Sequence, residues 1–413
     1  MGRRAAIGVV VAACLLAFAG TAWAGWKSFA NSGIQNIVEP SSLRTKAGSE
    51  LIAWNTANAL YVLRNGTLET VLSGVPYVGK PALVQQPDGT LQLYVPAQNL
   101  SSTLDGVVRL SSSDDGATWA APVQTSSHDI ADVGSAAVAP DGTPYFTQSG
   151  TGFVDVYSGL NGDSVQNVFT DCCGYAESVA IDSLGVARVA FWSNGSSEPN
   201  RFVLDQLGGA VTTYGSQTAP RNDRVPLVSY GAHTYLLWAD GYPDATALYL
   251  RRFPGGQVKL DRGGFTGGDP HMALALEPDG KLWALWTKGG VVKAARSRTS
   301  GKNFGATVSV SDPKGSTAYQ LEAFARPGSV EALLNTGSTL WEAKLLPGLT
   351  IHAGRKAASV VDDGFPVKGA RLKAGHRTIY TTAHGIASLA KLKPGTRVSV
   401  TKAGYTPASF RVP

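Results

Sequence analysis

The octapeptide Ser112-Ser113-Asp114-Asp115-Gly116-Ala117-Thr118-Trp119 has the form Ser-x-Asp-x-Gly-x-Thr-Trp, and each fixed residue suits one place in a hairpin. The Asp carboxylate accepts bonds from the turn's own amides, and Gly takes the positive φ that other residues resist. Thr opens the returning strand, and Trp packs its indole between neighbouring sheets. Ser297-Arg298-Thr299-Ser300-Gly301-Lys302-Asn303-Phe304 is an eroded copy that keeps Ser, Gly and an aromatic at the same offsets but has lost the Asp. Such a motif speaks of architecture rather than chemistry.

Around both copies runs a longer phrase: an apolar run, a turn often written Pro-Asp-Gly, a second apolar run, then a third. Its clearest instances are Pro81 to Val84 before Pro87-Asp88-Gly89, Ala136 to Val138 before Pro140-Asp141-Gly142, and Met272 to Leu276 before Pro278-Asp279-Gly280. Looser instances open at Ser178, Val225 and Leu321, and Leu51-Ile52-Ala53-Trp54 belongs to an opening unit. In the second unit Val107 to Leu110 and Trp119 to Val123 are expected as third and fourth strands. Second strands recur roughly every 40–53 residues, the period of four-stranded propeller blades. The fold is therefore all-β, a six- or seven-bladed β-propeller, with Gly25 to Val38 expected to add a strand to the last blade. Composition agrees: 48 Gly, 22 Pro and only 16% charged residues suit short strands and tight turns rather than helical bundles.

Residues 1–24 read as a signal peptide, with Arg3 and Arg4 before an apolar run and Ala22-Trp23-Ala24 as the cleavage form. The protein is accordingly expected to be secreted, extracellular or associated with the cell envelope, and monomeric. Of the three cysteines, Cys14 leaves with the signal. Cys172 and Cys173 are expected to form a vicinal disulfide in a distorted, rigid turn, because adjacent Cα atoms sit about 3.8 Å apart, below the usual range of about 4.4–6.8 Å. Charge is uneven: the overall +6 hides a segment, 351–413, in which eleven Lys and Arg face only Asp362 and Asp363, leaving residues 25–350 mildly acidic. That asymmetry points to a polyanion, and outside a cell to an anionic envelope polymer rather than nucleic acid. No metal spacing, phosphate loop or dinucleotide fingerprint is present, so no cofactor is expected.

The octapeptide is the Asp box, and residues 40–345 resemble the sialidase-like propellers in which it recurs. The resemblance implies a site on the face away from the boxes. It implies three arginines gripping a substrate carboxylate, a Tyr nucleophile activated by Glu, and an Asp as acid/base. The family's first arginine stands in an Arg-Ile-Pro phrase, but here that place reads Gly79-Lys80-Pro81, with Gly at the Arg position. Arg224-Val225-Pro226 has the closest wording and opens a middle blade. After residue 350, Asp363-Gly364-Phe365-Pro366-Val367-Lys368-Gly369-Ala370 and Ala403-Gly404-Tyr405 resemble carboxypeptidase-regulatory and transthyretin-like modules. That implies a small β-sandwich over residues 351–413, which attaches or stabilises rather than catalyses.

In a propeller the first strand of each blade lines the central channel, and ligands gather where those strands begin. Lys80 and His271 fall at the same place in the repeat, seven residues before the Pro of the turn. Asp132, Glu177, Arg224, Asp269, Tyr319 and Gln320 come to the same ring, with Tyr175 just before Glu177. The expected substrate-binding set is Lys80, Arg224, His271, Tyr175 and Gln320; the expected catalytic set is Glu177, Asp132, Asp269 and Tyr319. Three functions follow from such a lining. One is a glycan-binding propeller whose catalysis is altered or lost, on account of the missing arginine. A second is an exo-acting glycoside hydrolase of the sialidase type. A third is a scaffold held at the envelope by its basic C-terminal part.

Overall fold

A computed structural model describes residues 25–29, 33–34, 38–101, 104–126, 132–150, 152–171, 174–195, 201–215, 223–241, 244–265, 270–313 and 316–413. The signal-like segment 1–24, Cys172, Cys173 and Asp269 lie outside these, as does the side chain of Asp132. Among the described residues every regular element is a strand.

Seven antiparallel sheets, six of them with four strands and one with five, occupy residues 25–345. Their inner strands are Ser41–Arg44, Ala82–Gln85, Asp132–Val138, Gly174–Ile181, Leu227–Tyr230, Met272–Leu276 and Gln320–Arg326. Each inner strand touches the inner strand of the next sheet, and the seventh touches the first. The ring is therefore a closed seven-bladed propeller. Lys27–Ser28 completes it, pairing antiparallel with Leu340–Leu345 as the outermost strand of the seventh sheet.

Burial explains the sequence pattern. Second strands such as Ala187–Ser193 and Ser329–Asn335 are buried at every position, because neighbouring blades cover both faces. Outer strands at the rim, such as Ser164–Phe169, are largely exposed and polar. In the second sheet the fourth strand is Val123–Ser126, not Trp119 to Val123. Pro122 carries no N–H to donate, so the ladder begins only after it.

The intact box folds as its residues dictate. Asp114 accepts from the Ser112 hydroxyl at 2.8 Å, the Thr118 amide at 2.9 Å and the Thr118 hydroxyl at 2.6 Å, which hold its carboxyl down at about 2. Gly116 has φ +82°, and a Cβ there would lie 2.9 Å from Leu51 of the first sheet. Trp119 packs half-buried against the apolar core shared by the first two sheets.

The eroded box is completed from elsewhere in the chain. Asp363 Oδ2 accepts from the amides of Arg298 and Thr299, at 2.8 and 3.0 Å, and from the Thr299 hydroxyl at 2.8 Å. Thr299 Oγ1 in turn takes the Asn303 amide at 3.0 Å, as Asp114 takes Thr118. Beside it the buried Arg296 bridges Glu277, at 3.2 Å, and Asp362, to which Tyr405 also donates at 3.2 Å. Residues 350–411 thus dock on the sixth blade. They form two further sheets around a shared core of Val360, Leu372, Val398 and Val400.

Candidate functional site

Charged residues precede several inner strands: Glu39-Pro40, Lys80-Pro81, Asp223-Arg224-Val225-Pro226 and His271. Proline fixes an extended approach to the strand and removes one donor from the channel edge. An inner strand pairs on one side only, so its channel-side carbonyls need donors from elsewhere.

Arg224 supplies them. Its guanidinium donates to the carbonyls of Pro40 at 3.1 Å, Pro81 at 2.5 Å and Gly134, which belong to three different blades. Its backbone amide donates to Glu39 Oε2 at 2.5 Å. All three guanidinium nitrogens are engaged inside the protein, and the residue is 8% exposed. It acts as a bolt across the channel.

Five ionisable groups crowd around it. Burial pushes Glu39 up to about 8, against the pull of Arg224, and Asp223 and Glu322 add like-charge repulsion. Burial likewise raises Glu322 to about 7. His271 Nδ1 lies 2.6 Å from Asp223 Oδ2, and Nε2 lies 3.0 Å from the Ala318 carbonyl. A carbonyl can only accept, so Nε2 carries a proton; burial raises the Asp223 pKa, and where Asp223 is ionised it accepts from a second proton on Nδ1. Burial alone would lower the His271 pKa, but the Asp223 carboxylate outweighs it and the net shift is upward. Lys80, 7% exposed, adds positive charge within electrostatic reach of Glu39 and Asp223.

From this charged floor a cavity of about 760 Å³ runs along the channel, lined by Glu39, Arg224 and Glu322 at one end and reaching the exposed Lys46 and Gly48 at the other. Its walls carry the hydroxyls of Ser41, Ser42, Ser135 and Ser178 beside Ala136, Leu227, Met272 and Ala323. Ser41 accepts the Leu83 amide and Ser135 the Val179 amide, at 3.0 and 2.7 Å, stitching adjacent blades. A hydroxyl that accepts one amide still has its own proton to donate. Among the described residues no three of His, Cys, Asp and Glu come together as a metal site.

The residues expected from sequence distribute unevenly. Lys80, Arg224 and His271 meet in the charged cluster, but only Arg224 lines the cavity. Glu177 is 1% exposed and packs so closely on Gly134 that a Cβ there would fall 2.5 Å from Glu177 Cγ. Gln320 is fully buried and accepts from Asn335 at 2.5 Å. Tyr175 leans on Trp192, ring centroids 5.6 Å apart. Tyr319 is 40% exposed at the start of the seventh blade, three blades round from Glu177, as far apart as seven blades allow. Asp132 begins the third inner strand. Glu39, Asp223 and Glu322 were not singled out from sequence. Their signals were the Glu39-Pro40 wording, parallel to Lys80-Pro81, and a charge inside the apolar run Gln320 to Ala325.

The chain matches no known family model and no curated protein. Among solved structures it is similar to YCF48 from Cyanidioschyzon merolae, at 14% identity over 77% of this chain and 98% of that one, with a TM-score of 0.44. AofleA from Arthrobotrys oligospora shows 12% identity over 70% and 90%, TM-score 0.46. The Hadza microbial sialidase Hz136 shows 13% over 74% and 65%, TM-score 0.41. The likeness is one of overall shape, and no residue role is transferred from it.

Proposed function

We propose that this is a secreted glycan-binding propeller whose channel cavity takes an uncharged saccharide, without sialidase-type grip on a carboxylate. The observation that carries the reading is Arg224. A guanidinium grips a carboxylate through two parallel N–H bonds, whereas this one has each nitrogen committed to a backbone carbonyl. The nearby acids Glu39 and Glu322 would repel an anionic ligand further once ionised. The volume lies within the roughly 300–1,000 Å³ of ordinary ligand sites, and alternating hydroxyls and small apolar side chains suit the edges and faces of a sugar ring. A glycan array probed with the intact protein and with Ala136→Phe tests this. Binding to neutral glycans, lost in the variant while its melting temperature holds, supports the reading; binding indifferent to the variant removes the cavity from it.

A second reading, an exo-acting glycoside hydrolase, draws on the raised pKa of Glu39. A buried carboxyl still protonated at neutral pH beside a more acidic neighbour is the pattern of a general acid and its partner. In that reading Glu39 and Glu322 take the roles expected of Glu177, Asp132 and Asp269. Turnover of a fluorogenic glycoside panel, abolished in Glu39→Gln, would establish it; no turnover on any substrate leaves binding alone.

A further inference from the structure

We infer that the outer face of the last sheet is a binding site for a linear phosphodiester polymer without bases, separate from the channel and independent of its reading. The sheet is built of Arg377–Tyr380, Arg371–Ala374, Arg397–Thr401 and Ala408–Arg411, in that order. Alternation sorts its two faces: Leu372, Ala374, Val398 and Val400 are buried in the core, while Arg371, Lys373, Arg397 and Arg411 are exposed on the other side.

The register sets their pattern. Arg371 and Lys373 are two apart on one strand, about 7 Å. Lys373 stands opposite Ser399, and Arg397 lies one pair further along that neighbouring strand. Arg397 stands directly opposite Arg411, about 5 Å away. The four cations make a diagonal stripe about 17 Å long by strand geometry. Beside them the exposed face offers the hydroxyls of Thr378, Ser399, Thr401 and Ser409 and one aromatic ring, Tyr380.

No acidic side chain within residues 351–413 faces the stripe. The segment's two acids, Asp362 and Asp363, are 0% and 6% exposed and are engaged on the sixth blade. The dock therefore removes every negative side chain of the segment from its surface and points an all-cationic face outward. Arginine forks suit phosphate oxygens, which accept two parallel N–H bonds, and the hydroxyls suit the remaining oxygens. Single-stranded nucleic acid would need a run of aromatic platforms for its bases, and this face carries one, Tyr380.

The experiment titrates fluorescent poly(glycerol phosphate) of about ten units into the intact protein, by anisotropy, over a series of salt concentrations. The stripe variant R371Q/K373Q/R397Q/R411Q should bind at least tenfold more weakly. Its salt slope should fall by about 2 to 3, at roughly 0.7 per lost contact. A control, K356Q/K368Q/K391Q/K393Q, removes equal charge elsewhere on the segment and should change affinity less than threefold. No binding by the unaltered protein overturns the inference, as does equal weakening in both variants. Tighter binding to oligothymidylate, or to phosphatidylglycerol vesicles, than to the polymer also overturns it.

Discussion

Replacing Arg224 with methionine keeps most of the side-chain volume and deletes every side-chain donor. The carbonyls of Pro40, Pro81 and Gly134 lose their partner, and Glu39 keeps the backbone amide of residue 224 but loses the cation that pulls on it most strongly. Each of the three hydrogen bonds from the charged guanidinium contributes about 1.5–3 kcal/mol. Two effects reduce the sum. Water from the adjoining cavity can reach part of the vacated site, and Glu39 and Glu322, already raised to about 8 and 7, take up protons when the positive charge goes. The expected loss at pH 7 is about 3–5 kcal/mol, read as a lower urea midpoint with an unchanged m-value. Arg224→Lys should restore less than half of it, since one ammonium cannot span carbonyls from three blades. A methionine variant within about 1 kcal/mol of the unaltered protein would refute the bolt and return Arg224 to the pool of ligand-binding residues.

Other outcomes follow from the same geometry. Glu39 and Glu322 hold protons in the folded state that the unfolded chain, with ordinary carboxyls near 4.5, has released; their effect is a stability that falls as pH rises from about 4.5 to 8. Glu39→Gln should flatten that fall in urea midpoints measured across pH 5 to 8, and an unchanged slope would contradict the assignment. Asp363→Ala removes three bonds to the eroded box and should cost about 2–4 kcal/mol. Hydrogen exchange should speed at the amides of Arg298 and Thr299 while those of Thr118 and Gly116 stay protected. Gly116→Ala, at φ +82° with Leu51 in the way, should destabilise by about 1–3 kcal/mol; a neutral result would mean that the box relaxes freely.

The blades were legible because local chemistry repeats. Pro-Asp-Gly turns mark three of the blades and largely buried second strands mark the rest of the repeat, and one proline explains the misplaced strand of the second sheet. Lys80, Arg224 and His271 were also legible, as charges at strand starts where an apolar run is about to enter a core. Their partners were not. Glu39 is 185 residues from Arg224, and Asp363 is 64 from the threonine it caps. Spacing along the chain says nothing about a contact made by closing a ring or docking a segment. Burial, which converts Glu39 from a surface acid into a protonated one, is equally invisible until the ring is closed. Nor could sequence distinguish an arginine that faces a ligand from one that faces three carbonyls.

Calorimetric titration of one neutral glycan chosen from the array, beside its sialylated counterpart, bears most directly on the central claim. An occupied Arg224 has nothing to offer a terminal carboxylate, so the two dissociation constants should agree within about threefold, or the sialylated form should bind more weakly. A preference of tenfold or more for the sialylated glycan, about 1.4 kcal/mol, would mean that a cation in the channel is free to grip it, and the account would fail.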